Sequence, residues 1–478
     1  MKTGLKFEKK KHLHNYCQIT RKDYILKKTK NLLHGNETKA MLSFALPMII
    51  GNIFQQMYNV ADTVIVGKYI GPNALAAVGS SFSIMVLLTS IILGLCMGSG
   101  AVFSYLYGAN EIERLKNSFF TSFCFIGIVS LIINLASFIF IDEILHFIRI
   151  PQEIYSDTKI YLLVNFYGIL LTFLYNYFAS VMRSLGDSMV PLIFLSIAAV
   201  IDITLNYVFV VPMNMGVAGA AYATLVAQVF SAFGITIYCI FKVPLIRLQR
   251  KHIYFDKNIV TMIANNSVLT SIQQSIMNFG ILMIQGLVNS FGVAVMAAFT
   301  AVVKIESFAY LPVQDFGNAF STFIAQNDGA GKKDRIKSGI RSAVKIITIY
   351  CAIISVLIII FAKPLMYIFI DAGETEILGI GKQYLLVVAS FYCLIGYLFM
   401  FYGFFRGIGK PQVSIILTIA SLGTRVFLAY FLSSIPSIGI VGIWWSIPIG
   451  WLLADIIGTI KVRSLMRSRE QFQLNQET

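Results

Sequence analysis

The chain has 478 residues, 57% of them hydrophobic and only 13% charged, with a mean hydropathy of +0.75. Soluble domains carry about 25% charged residues, so a shortfall sustained over the whole length excludes a water-soluble globular protein and points to a membrane-embedded one. The formal charge of +15 is spread in short Lys/Arg runs between apolar blocks, which suits anionic lipid and the positive-inside rule rather than nucleic acid.

Residues 1–40 are polar and Lys-rich, without the apolar core or cleavage site of a signal peptide, and read as a cytoplasmic N-terminal extension. Six apolar blocks follow near 43–67, 80–105, 119–140, 160–182, 191–212 and 218–241. Each is long enough for a span of about 20 residues, and continuous apolarity at this length means helices rather than barrel strands. The first block holds Pro47, Gln55, Asn59 and Asp62. The last three are spaced 4 and 3 apart, so they share one helical face that ends in a carboxylate. Intramembrane carboxylates are expensive and are functional candidates by default; the plainer reading is an Asp that only fixes packing. The fifth block has Asp202 and Asn206 one helical turn apart. Asn176 on the fourth, and Thr224 and Gln228 on the sixth, read first as helix–helix hydrogen-bonders and second as extra oxygens for an ion.

A basic connector, 242–264, carries Lys242, Arg247, Arg250, Lys251 and Lys257. Six further blocks lie near 265–290, 294–325, 341–361, 384–405, 412–433 and 440–460, followed by a basic tail at 463–478. Gln274 and Asn278 stand on the seventh span; Lys304, Glu306 and Asp315 on the eighth; Arg425 on the eleventh. Lys304 and Glu306 are expected as an internal ion pair, with Glu306 as a secondary substrate-facing candidate. Glu306 and Arg425 fall at similar depth, so these two are expected to face each other, because buried opposite charges are normally paired. The six cysteines are scattered without a CxxC, and the five histidines form no ligand spacing. Neither a nucleophile elbow nor an HExxH is present, which argues against an embedded enzyme. Basic residues concentrate in alternate loops, which predicts both termini on the cytoplasmic side.

The chain repeats itself. Gly108-Ala109-Asn110 matches Gly329-Ala330-Gly331 at an offset of 329 − 108 = 221. Tyr161-Leu162-Leu163-Val164 matches Tyr384-Leu385-Leu386-Val387, and Arg183-x-x-Gly186 matches Arg406-x-x-Gly409, both at offset 223. Gly216-Val217-Ala218-Gly219 matches Gly439-Ile440-Val441-Gly442 at the same offset, while Gln55 and Asn59 match Gln274 and Asn278 at 219. Six spans per half return the chain to its starting side, so the repeats are parallel, about an axis along the membrane normal. The expected fold is an all-α membrane protein, twelve transmembrane helices in two pseudo-symmetric six-helix lobes: an N-lobe at 41–241 and a C-lobe at 265–462. The side chains have diverged. Asp62 maps to Ile281 and Asp202 to Arg425, so ion chemistry is expected in the N-lobe alone.

Several stretches together resemble a known family. They are Pro47–Gly79 (PMIIGNIFQQMYNVADTVIVGKYIGPNALAAVG), Arg183-Ser184-Leu185-Gly186-Asp187, Met215–Thr224 (MGVAGAAYAT) and Leu311–Gly331 (LPVQDFGNAFSTFIAQNDGAG). Their order resembles multidrug and toxic compound extrusion (MATE) exporters, above all the DNA-damage-inducible prokaryotic branch, over roughly residues 40–465. The resemblance implies a secondary antiporter that expels amphipathic, often cationic, small organic compounds in exchange for H+ or Na+. It implies no cofactor, no nucleic acid, a lipid bilayer as surroundings, and a monomer in the prokaryotic plasma membrane. It places the N-lobe coupling carboxylate at Asp62, 62 − 47 = 15 residues after the proline matched by Pro47. The implied ion site is Asp62, Asp202, Asn206 and Asn59, with Na+ or a proton between the two acids. Gln55, Asn176, Thr224, Gln228, Gln274, Asn278 and Glu306 would line the path, and Pro47 would bend the first helix. Many members have the amide first and the acid second on the fifth span; here Asp202 precedes Asn206. A lipid-linked oligosaccharide flippase of the same superfamily is the alternative, resting on the mid-span cations Lys304 and Arg425.

Overall fold

The computed structural model describes residues 32–148 and 150–477, and among them every regular element is helical. Most of the expected N-terminal extension thus lies outside the described residues. The first lobe is built from α1 (Glu37–Tyr69), α2 (Pro72–Gly108), α3 (Ile112–Ile139), the short α4 (Ile141–Phe147), α5 (Gln152–Tyr167), α6 (Ile169–Ser184), α7 (Met189–Val210) and α8 (Gly216–Lys242). Two 3-10 turns, Pro244–Ile246 and Arg250–His252, lead to the second lobe. This comprises α9 (Lys257–Asn289), α10 (Val293–Gly329), α11 (Lys333–Met366), α12 (Thr375–Ala389), α13 (Tyr392–Gly407), α14 (Pro411–Ser433) and α15 (Val441–Glu477). The expected tail is therefore a helical continuation of the last span.

Ten helices are long and apolar enough to cross a membrane, and two bent pairs, α5–α6 at 43° and α12–α13 at 54°, bring the number of spans to twelve. The bends correct the reading of 160–182 and 384–405 as single straight spans. No proline marks either break; Gly168 stands at the first and Ser390–Phe391 at the second. Helix starts follow ordinary capping rules. Asn36 accepts from Lys39 N at 3.0 Å, and Asp256 accepts from Asn258 N at 2.7 Å. Near the bend of the first lobe, Lys159 Nζ and Tyr155 OH each reach Asp142 Oδ1 at 2.6 Å and tie α4 to α5. The Lys159 ammonium and the Tyr155 hydroxyl hold the Asp142 carboxyl below its ordinary range.

The duplication is visible in the backbone. Left-handed residues recur in pairs at the repeat offsets: Gly71 and Gly292, Asn110 and Gly331, Gly186 and Gly409, Gly216 and Gly439. A side chain with a Cβ is disfavoured at such φ values, which is why these turns kept glycine or asparagine. Packing repeats as well. Helix α1 lies on α7 as α9 lies on α14, and α2 lies on α6 as α10 lies on α13. Between the lobes, α2 crosses α9 and α1 crosses α10.

The lobes are sealed at one end of the bundle. The start of α1 contributes Met41, Phe44 and Ala45 to the core of the second lobe, while Ile259 and Ile263 of α9 enter the core of the first. Ser99 and Ser267 meet at 2.8 Å, Gln326 Nε2 donates to Ser184 O at 2.8 Å, and Arg335 donates to the carbonyls of Leu32, His34 and Gly35. The hydrogen bonds found between the lobes among the described residues reach no further than Ile91 and Gln274, near the middle of α2 and α9. Towards the other end, Gly79 of α2 and Gly286 of α9 face open space. The inter-lobe hydrogen bonds of the described residues thus gather at one end of the bundle.

The seal depends on backbone contact at Gly108, where an added Cβ would stand 2.0 Å from Gln326 O. Overpacking of this kind costs about 1–3 kcal/mol. Gly108→Ala is expected to lower the melting temperature of the purified protein. Gly79→Ala, with nothing within 4 Å, is expected to match or exceed the parent, since Ala favours helix over Gly by about 1 kcal/mol.

Candidate functional site

Helices α1 and α7 pack together, with Gly51 of α1 facing Leu192 and Leu195 of α7. That contact brings the two acid-bearing faces together further along. Asn206 Nδ2 donates to Asp62 Oδ1 at 2.5 Å, and the Asp202 carboxyl stands within hydrogen-bonding reach of Asp62. Asp202 is 2% exposed and Asn206 is fully buried. Neither carboxyl oxygen of Asp202, nor Asn206 Oδ1, has a donor among the described residues. Buried acceptors without donors are unusual in a folded chain. Two carboxylates this close in a low-dielectric lobe require a proton or a cation between them.

The acids adjoin a cavity of ≈ 130 Å³ lined by Gln55, Tyr58, Thr172, Asn176, Asp202, Thr224, Gln228 and Ser231 with apolar neighbours. Four positions singled out in the sequence as site residues, Gln55, Asn176, Thr224 and Gln228, thus share one chamber with Asp202. Asn176 Nδ2 bonds Thr172 O at 2.9 Å; the Thr224 hydroxyl lies 3.3 Å from Ala220 O and also comes within reach of the Asp202 carboxyl. Gln228 Oε1 is a further buried acceptor without a donor, packed where Gly168 lacks a side chain at the α5–α6 bend. A volume of this size holds a few waters or a small ion. It falls short of the roughly 300–1,000 Å³ that encloses a drug-sized ligand, which leaves the inter-lobe cleft for anything larger.

Tyr161 of α5 was missed as a site residue. It lies close enough to both Asp62 and Asp202 to interact electrostatically, as does Tyr58. Its only signal in the sequence was its place in the repeat, opposite Tyr384. Asn59 is not drawn to the acids: its amide donates to Gln56 Oε1 at 3.2 Å. Helix α1 runs through Pro47 without interruption, so the expected bend is not a break in this state. Gln274 belongs to the inter-lobe contact, with Nε2 3.3 Å from Met97 Sδ, and Asn278 lies one turn beyond it on α9, away from the acid pair.

Glu306 lies in the second lobe. Tyr384 OH donates to its Oε2 at 2.7 Å and Tyr392 OH to its Oε1 at 3.4 Å. These tyrosines stand on α12 and α13, so the carboxylate brackets both halves of the bent span. The expected Lys304–Glu306 pair is not formed. Lys304 is exposed, with its ammonium 6.0 Å from the Phe369 ring centre. Residues two apart point to different faces of a helix. Arg425 instead supplies the opposite charge near Glu306, at the similar depth expected, but among the described residues the two form no ion pair within 4.0 Å and Arg425 Nε has no hydrogen-bond partner.

Twelve spans in two duplicated lobes, a cleft sealed at one end and a buried acid pair define a multi-pass membrane transporter, not an enzyme. Residues 47–208 and 267–431 each match the MatE family, one match per lobe, and the chain belongs to that family. It is 26% identical over 427 residues to the probable multidrug resistance protein YoeA of Bacillus subtilis (strain 168), covering 88% of this chain and 92% of that one. It is 28% identical over 396 residues to the probable multidrug resistance protein YpnP of the same organism, covering 82% and 88%. Its fold is similar to that of a MOP superfamily transporter from Pyrococcus furiosus, with a TM-score of 0.87 and 25% identity over 92% of this chain and 98% of that one. The chain is accordingly a multi-pass membrane transporter of the MatE family.

The second-lobe cluster has a measurable signature. Removing one member of a buried opposite-charge pair typically costs about 3–5 kcal/mol, because the other is left uncompensated. Glu306→Leu and Arg425→Met are each expected to lower the melting temperature markedly in detergent. The double variant is expected to melt above both single ones.

Proposed function

We propose that this protein exports amphipathic, chiefly cationic, organic compounds by exchange for H+ or Na+ entering from outside, with the ion held between Asp62 and Asp202. The observation that carries the reading is the pair of buried carboxyls within hydrogen-bonding reach beside a cavity lined by orphan acceptors. No cationic side chain is hydrogen-bonded to either acid among the described residues. Asn206 holds one acid in place, and the carbonyl and amide oxygens of the chamber suit a small cation or an ordered water that carries a proton.

The basic segments support the orientation. Arg114, Lys251, Lys332 and Arg335 gather at the sealed end, and positive loops favour the cytoplasmic face. Both termini are then cytoplasmic, the membrane is the prokaryotic plasma membrane, and the state described is the outward-facing one. In that state the ion enters from outside and neutralises the acid pair. The ion and the organic cation lower each other's affinity by reciprocal linkage, so ion entry expels the drug outward. With the lobes rocked to the other side, ion release to the cytoplasm restores the charge and favours loading of a new cation. The protein works as a monomer, each chain carrying its own cleft. Of the two cations on which the flippase reading rested, Arg425 has the opposite charge of Glu306 nearby, and Lys304 lies against Phe369.

Vesicles reconstituted with the protein and loaded with a fluorescent organic cation test the reading, with a pH gradient or a sodium gradient imposed separately. One gradient is expected to drive efflux. Asp62→Asn and Asp202→Asn are expected to insert and fold but to fall to the protein-free background. Parental efflux rates in both variants would place coupling elsewhere.

A further inference from the structure

We propose that Asn52 and Asp315 form the latch that holds the two lobes together at the sealed end, and that its release admits the inward-open state. Asn52 stands on α1 of the first lobe and Asp315 on α10 of the second. Asn52 Nδ2 lies 2.6 Å from each carboxyl oxygen of Asp315. Asp315 is only 4% exposed, so its charge is met by protein alone.

One arginine faces it from the other lobe. Arg183 of α6 is near enough to attract it across the lobe boundary, and Asn318 also reaches it from its own helix. Asn318 is itself held by Arg406 of α13, which donates to Asn318 Oδ1 at 2.8 Å and to Ser321 Oγ at 3.2 Å. The counterpart of Asp315 in the first half is Gly94 (315 − 221 = 94). The acid is therefore not duplicated, and its attraction to an amide and an arginine of the first lobe runs across the junction in one direction only.

Position gives the contact its role. Asp315 lies 14 residues before the end of α10, and Asn52 lies 15 residues after the start of α1. The bond is thus at the boundary between the sealed half and the open cleft. When the lobes part at this end, Asp315 leaves both Asn52 and Arg183 on the other lobe. Only water filling the widening cleft replaces them. Hydrogen bonds to a charged group contribute more than neutral ones, so this contact weighs on the equilibrium between the two states out of proportion to its area. The latch rests on the alternating-access reading above but not on which ion or site drives it.

Spin labels at positions 114 and 334, exposed at the sealed end on opposite lobes, report the opening. They are placed in a background whose native cysteines are replaced and which still exports. Distances are read by pulsed electron spin resonance without gradient or drug, so the result stands apart from any failure of ion coupling. The parent is expected to show mainly the short distance. Asn52→Ala and Asn52→Asp are each expected to raise the ratio of long to short distance about tenfold or more, the Asp variant through added repulsion. The exchange variant Asn52→Asp/Asp315→Asn, which re-forms the amide–carboxylate bond with its partners swapped, is expected to return the short distance. An unchanged distribution in Asn52→Ala overturns the proposal, as does an exchange variant as open as the single ones. Should Asn52→Asp fail to fold, Asn52→Ala and the exchange variant decide alone.

Discussion

Two carboxylates in hydrogen-bonding reach of each other inside a membrane helix bundle cannot both keep a charge without something between them. Asp62 and Asp202 impose that condition on the first lobe. Everything else near them serves it. Asn206 fixes one acid, and the α5–α6 bend at Gly168 makes room for Gln228 beside the chamber. In the proposed exchange, a chamber of ≈ 130 Å³ has room for a small ion but not for a drug-sized cargo. Exchange then needs no shared site. It needs only that the charge state of the pair alter the lobe that the cargo touches.

The two lobes show how a duplicated backbone divides labour. Turn geometry, span bends and helix neighbours recur at offsets of 221 and 223 residues. The buried charges do not. Where the first lobe has an acid pair answered by nothing but amides and hydroxyls, the second has Glu306 with Arg425 nearby and two tyrosines bracketing a bend. The first arrangement is the one the proposed exchange uses; the second places opposite charges near each other across the bent span. The junction between the lobes is a third solution, one unduplicated acid held by an amide and attracted by an arginine of the other lobe.

Much of this was legible in the sequence, for definite reasons. A span is a long run of one property, so block lengths gave the twelve crossings. The repeat followed from turn residues, which backbone φ constrains more tightly than lipid constrains an apolar face. The acid pair was legible because carboxylates at membrane depth are rare enough to stand out. The bends were not: Gly168 and Ser390 sit in unbroken apolar runs without proline. Tyr161 was hidden among 23 tyrosines, since proximity to the acids depends on how α5 is set against α1 and α7. Asn59 shares a helical face with Gln55 and Asp62, yet a face is broad, and Gln56 one turn back takes its amide. The failed Lys304–Glu306 pairing was avoidable, because a spacing of two separates side chains around a helix.

The central claim is that one ion at the Asp62–Asp202 pair and one organic cation in the cleft oppose each other's binding. Titrating a fluorescent organic cation onto the purified protein, over a range of pH and of sodium concentration, measures this directly. The account predicts that the Kd for the dye rises as one of the two ions is increased and then levels off, and that Asp202→Asn abolishes the dependence. A Kd unchanged across both series in the unmodified protein would contradict it.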